Sequence, residues 1–121
     1  MMKCLVRLEV SWMAEIKYEL RYLPLFYDDL EEHVMYIANV LGNMKAADNL
    51  LTAVEKAILE RYEKAESYEQ YHSVKERSYP YYRIYVKNYV IYYVIIPTGN
   101  NKKIMEVRRI LHGRQDRSRK V

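Results

Sequence analysis

The sequence predicts an α+β fold in which an antiparallel sheet carries a helical hairpin on one face, and three patterns predict it. Apolar and charged residues alternate through 15–23, two stripes of helical period cross 24–41 and 45–63, and runs dense in Tyr, Ile and Val fill 81–111. The expected order is therefore β-α-α-β-β-β.

Ile16, Tyr18, Leu20 and Tyr22 alternate with Lys17, Glu19 and Arg21, which puts one row of side chains on a core and the other in water. Residues 15–23 read as a strand. Pro24 suits the first turn of a helix, where its missing N–H costs nothing, and Asp28, Asp29, Glu31 and Glu32 then lie toward the positive end of the helix dipole. Leu30, Val34, Ile37 and Leu41 form the apolar stripe of this first helix, and Gly42-Asn43 ends it. Ala47, Leu50, Leu51, Val54, Ile58 and Tyr62 repeat the pattern over 45–63. A connection this short makes the two helices antiparallel neighbours.

A polar stretch with Glu63, Lys64, Glu66, Glu69 and Gln70 follows, and then the period changes to that of strands. Tyr81 to Lys87 and Tyr89 to Ile96 are joined by a turn at Lys87-Asn88, and Pro97-Thr-Gly-Asn-Asn101 leads into a last strand over 103–111. The tyrosines Tyr81, Tyr85, Tyr89 and Tyr93, four of the fourteen, read by their even spacing as one wall of the sheet rather than a platform for bases.

With 121 residues, half of them apolar, the chain closes one modest core and has no room for a second domain. Residues 13–121 are expected to form that domain, with 1–12 an N-terminal extension, either dispensable or an added edge strand, because Leu5 to Val10 fit neither period. Lys3, Arg7 and Glu9 interrupt that segment too often for a secretion signal. The longest apolar run, Tyr89 to Pro97, falls well short of the roughly 18 residues of a membrane span. A soluble protein without membrane contact is expected. One cysteine, Cys4, permits no internal disulfide and no cysteine-rich zinc site, which suits a reducing cytoplasm. No metal and no cofactor are expected.

The net charge of +4 is uneven. Residues 102–121 hold eight Lys or Arg against Glu106 and Asp116, so the rest of the chain is slightly negative. A basic tail on a near-neutral body points to an acidic or phosphate-bearing partner.

Tyr22-Leu-Pro24, Asp29-Leu30, Tyr36-Ile37 and Ala46-Ala47 are followed by Tyr82-Arg83-Ile84, Asn88-Tyr89, Tyr92-Tyr93-Val94 and Arg109-Ile-Leu-His-Gly-Arg114. In this order and spacing, over residues 16–116, they resemble the RelE/ParE superfamily of type II toxin–antitoxin toxins. The resemblance implies a growth-inhibiting toxin of a plasmid-stabilisation-type module. It also implies a cognate antitoxin, usually a neighbouring gene's product, whose C-terminal segment wraps the toxin in a hetero-oligomer.

Two mechanisms occur in the superfamily. RelE-like members cut mRNA on the ribosome, which needs a base for the 2′-hydroxyl proton, positive charge for the phosphorane and an acid for the leaving oxygen. Arg83 and His112 are the candidates for that catalysis. The RelE-like pattern has an arginine on the second strand of the meander, where this chain has Val90, and no tyrosine follows Tyr93. ParE-like members poison DNA gyrase without hydrolysis, and Ile110-Leu-His-Gly-Arg-Gln-Asp116 is closer to their ending. On that reading Lys87, Arg109, Arg114, Arg117, Arg119 and Lys120 contact the target or nucleic acid, with salt-sensitive strength. Simpler roles stand beside these: His112 as a hydrogen-bonded strand end, Arg83 and Arg109 as partners of Glu76 or Glu106 across the sheet, and the tail as a solvated end.

Overall fold

The computed structural model describes residues 17–68, 70–71 and 79–113. The expected extension over 1–12 and the tail residues Arg114, Arg117, Arg119 and Lys120 lie outside the described residues, as does Glu76.

Strand β1 (Lys17–Tyr22) leads into helix α1 (Pro24–Met35), a five-residue π-helical segment (Tyr36–Val40) and helix α2 (Met44–Tyr62). The short β2 (Gln70–Tyr71) and the long strands β3 (Tyr81–Val86), β4 (Tyr89–Pro97) and β5 (Lys102–His112) complete the order. The elements match the expected succession to within a residue or two, with β2 added inside the polar stretch. They form one sheet in the order β1-β5-β4-β3-β2.

The meander β3-β4-β5 is antiparallel, but β1 lies parallel to β5, from Lys17 beside Lys102 to Tyr22 beside Val107. The sheet is thus mixed, a detail that the expectation of an antiparallel sheet omitted. Periodicity marks which residues are in strands; it carries no information on the direction of a strand that pairs some 85 residues away.

Pro24 opens α1, as its fixed φ allows, but the acidic residues do not lie in the first turn. Asp29 is buried in the middle of the helix, and with Phe26 and His33 it makes the innermost row, while Leu30, Val34 and Ile37 pack beside it. Leu41, expected on the apolar stripe, is instead 59% exposed. The cause is the π-helical segment, in which the Leu41 N–H bonds to Tyr36 O, so the wider turn carries the stripe out of phase. Gly42 adopts φ +65, a conformation that costs glycine little, and turns the chain. Asn43 then caps α2, its side chain accepting from Ala46 N at 3.0 Å. Ala47, Leu50, Val54 and Ile58 are the buried face of α2, as their spacing predicts.

The helices pack on one face of the sheet, against Tyr82, Ile84, Val86, Tyr89, Ile91, Tyr93, Ile95, Val107 and Ile110. The other face is also buried: Tyr81, Val90, Tyr92, Val94 and Leu111 form a second cluster. The evenly spaced tyrosines consequently do not share a wall. Tyr89 and Tyr93 face the helices, whereas Tyr81, and by alternation Tyr85, lie on the opposite face, because the Lys87-Asn88 turn changes the phase between strands.

Between Tyr92 and Tyr93 the β4–β5 register shifts by one residue, leaving Arg108 as a bulge. Two successive arginines thereby reach different carboxylates. Arg108 joins buried Glu106 at 2.8 Å, and Arg21 of the neighbouring strand reaches the same carboxylate at 3.3 Å. In the last turn of α2, Arg61 donates to Arg83 O and to the Tyr93 hydroxyl, which itself donates to Ala65 O. Burial pushes the Tyr93 hydroxyl up to about 12 despite the opposing charge of Arg61.

That shift has a definite sign. The unfolded chain ionises Tyr93 near its ordinary value of 10, and the folded chain resists until about two units higher, so its stabilising contribution is complete below pH 10 and lost between 10 and 12. Tyr93→Phe is expected to flatten the alkaline loss of stability in urea melts. At neutral pH it should cost about 1–2 kcal/mol, because Arg61 and Ala65 O lose their partner.

Candidate functional site

The strand β1 ends at Tyr22, and Leu23 N makes the last main-chain bond to β5, at Val107 O. Beyond this point side chains of α1 take over from the missing strand. Asp29 Oδ2 accepts from Ile110 N at 3.1 Å, and His33 Nε2 lies 2.8 Å from Ile110 O, to which the ring donates. Asp29 and His33 are one helical turn apart and therefore stand on the same side of α1, matching the N–H and C=O of a single strand residue.

Arg109 completes the group. Its guanidinium grips Asp29 in a bidentate pair, Nε–Oδ2 2.7 Å and Nη2–Oδ1 2.8 Å. Hydrogen bonding to Asp29 raises the Arg109 guanidinium above its ordinary value against the opposing effect of burial. Arg109, expected as a cation presented to a target, is thus committed to an internal pair with a side chain only 16% exposed.

Next to this tie is an aromatic cluster. The Tyr89 ring lies 4.6 Å from that of His33 and meets His112 edge-on at 5.2 Å. Burial raises the Tyr89 hydroxyl, with a smaller contribution from Tyr36. His112 is half-buried at the end of β5, on the helix-covered face. Gly113 N then bonds to Asn88 O at 2.8 Å, tying the start of the C-terminal segment to the β3–β4 turn. Lys87 occupies that turn with φ 54 and is exposed.

A cleft of about 700 Å³ opens between the helical-hairpin turn and the β3–β4 turn. Its walls include Glu32, His33, Tyr36, Asn43, Asn49, Lys87, Tyr89 and His112. A second hollow of about 480 Å³ lies on the other side of the same turn and shares Lys87, Asn88, Tyr89 and His112. Among the described residues no group of three or more His, Cys, Asp or Glu could hold a metal ion.

The structure therefore brings Lys87 and His112 to one cleft but places Arg83 elsewhere. Arg83 is opposite Tyr92 on the face away from the helices, its guanidinium 5.6 Å from the Tyr85 ring. Glu106, a suggested partner for Arg83 or Arg109, pairs instead with Arg21 and Arg108. Asp29, His33 and Tyr89 were missed as site residues. The signal was present in Phe26, Asp29 and His33, which recur at three and four residues and so form an inward row; polar members of such a row require buried partners.

A first strand leading to a helical hairpin, then a meander whose last strand returns beside the first, is the RelE/ParE-like arrangement, which the chain shares. The family model described as the ParE toxin of the type II toxin–antitoxin system parDE matches residues 20–117, and the chain belongs to that family. It is accordingly a toxin of a type II toxin–antitoxin system, and its family implies an antitoxin partner. Comparison with curated proteins gives no match. No helix among the described residues is long and apolar enough to cross a membrane.

Removing the carboxylate at the centre of the site should be costly. Asp29→Ala leaves Arg109 and Ile110 N without their acceptor and is expected to lower stability by about 3–5 kcal/mol. Asp29→Asn, whose amide oxygen still accepts, should lose less; denaturant melts of the two variants provide the comparison.

Proposed function

We propose that this toxin arrests growth in the cytoplasm by binding DNA gyrase, with no hydrolysis of its own. The observation that carries the reading is the separation of Arg83 from His112. One lies on the face of β3 away from the helices, opposite Tyr92, the other beneath the helices against Tyr89. Phosphodiester cleavage requires its cation and its proton donor at one phosphate, and these two candidates stand on opposite faces of the sheet. Membership of the ParE toxin family supports the same direction. Binding to a large target needs surface and charge instead, and Lys87 with the basic residues Arg114, Arg117, Arg119 and Lys120 of the C-terminal sequence supplies the charge.

The alternative is a ribosome-dependent mRNA endonuclease, and one observation favours it: Lys87 and His112 line the same cleft. On that reading they, rather than Arg83 and His112, would serve the cleaved phosphate.

Purified gyrase separates the two. Toxin released from its antitoxin is expected to inhibit supercoiling and to trap cleaved DNA, and His112→Ala should retain most of that inhibition. Absence of any effect at toxin excess, from protein that still arrests growth and leaves cut transcripts, would establish the endonuclease instead.

A further inference from the structure

We propose that the cleft between the two turns binds a single nucleotide unit, with the phosphate at Lys87 and the base among Tyr36, Asn49 and Glu32. The inference goes beyond the gyrase reading, with which it shares Lys87, since it concerns a ligand held by the toxin alone.

Size and lining together define the ligand class. A volume of about 700 Å³ is in the range of small-molecule sites, which pair aromatic or apolar walls with a few polar groups. Here aromatic and aliphatic walls meet: Tyr36, Tyr89 and His112 line the space beside Ile37, Leu41 and Leu50. Flat rings of this kind accept a planar ligand by stacking, and every nucleobase presents such a face. Tyr36 is 53% exposed, so a stacked base would cover apolar surface that water now touches.

The polar groups divide by charge. Lys87 is a cation on a turn whose φ of 54 fixes the backbone, and it stands between the cleft and the neighbouring hollow of about 480 Å³. A phosphate at Lys87 can therefore carry one nucleoside into the cleft and let a strand continue into the hollow. Glu32 and Asn49 are on the helical walls, away from that turn in the sequence and in different elements. A carboxylate repels phosphate but accepts from the paired N–H groups along the edge of guanine. The arrangement thus prefers a guanine unit, oriented with its phosphate toward the sheet.

The shared chemistry, a guanosine monophosphate unit, could come as a free nucleotide or as part of a single strand. Titrating isotope-labelled full-length toxin with 5′-GMP, and separately with a single-stranded dG-containing tetranucleotide, distinguishes them by NMR. Shifts at Lys87, Tyr89 and His112 on GMP alone identify a free-nucleotide site; the same shifts with the tetranucleotide only identify a strand site. Tyr36→Ala should weaken binding by roughly tenfold through lost stacking. Lys87→Asn keeps a residue that tolerates positive φ and should remove one phosphate contact, reducing the slope of log K against log salt by about 0.7. Glu32→Gln should narrow the preference for guanine over adenine. The proposal is overturned if neither ligand shifts the cleft resonances at millimolar concentration, or if binding survives Tyr36→Ala and Lys87→Asn unchanged and so belongs to the basic tail.

Discussion

The fold turns on one carboxylate. Asp29 takes three hydrogen bonds, two from the Arg109 guanidinium and one from the Ile110 main chain, in a position only 6% exposed. A buried charge is tolerable only when its lone pairs are answered, and here the answers come from two adjacent residues of one strand. The helix can satisfy them at a single height and rotation. With His33 closing the Ile110 carbonyl, α1 acts as the continuation of β1 along the edge of β5. Hydrophobic packing alone would let a helix slide or roll on a sheet; these directional bonds fix it.

From that fixed helix the rest of the site follows. The π-helical segment continues α1 past His33 and swings Leu41 outward, so the hairpin turn stands off from the sheet and a cleft remains. Tyr89 fills the space between His33 and His112, and the Gly113–Asn88 bond closes the opposite rim. The bulge at Arg108 immediately precedes Arg109 and Ile110, the two residues that meet Asp29. On the far side, Arg61 ties the end of α2 to β3 and β4, so both ends of the hairpin are bonded to the sheet by side chains.

Element succession was legible because it depends on local period and punctuation: Pro24, Gly42-Asn43 and Lys87-Asn88 each mark the boundary at which the structure changes. The basic residues Lys87 and Arg109 and the histidine His112 were visible as chemistry-bearing groups. Their partners were not. Asp29 read as a residue complementing the helix dipole, because four acidic residues in nine look alike until burial separates them. The one-residue bulge and the π-helical turn defeat counting by period, since each shifts every later side chain by a phase that no local pattern announces. The parallel partnership of β1 and β5 lay equally beyond reach, being a contact between distant segments.

That distant partnership has a temporal consequence. Tyr22 cannot meet Val107, nor Asp29 meet Arg109, until nearly the whole chain has been synthesised. Closure of so long a loop is slow compared with forming the hairpin or the meander, and it comes last during translation. A ribosome making this protein is consequently exposed to helices and strands without an assembled toxin until the final strand emerges. Chains cut short before β5 lack the edge against which β1 and α1 are held, so premature termination yields fragments that cannot complete the site.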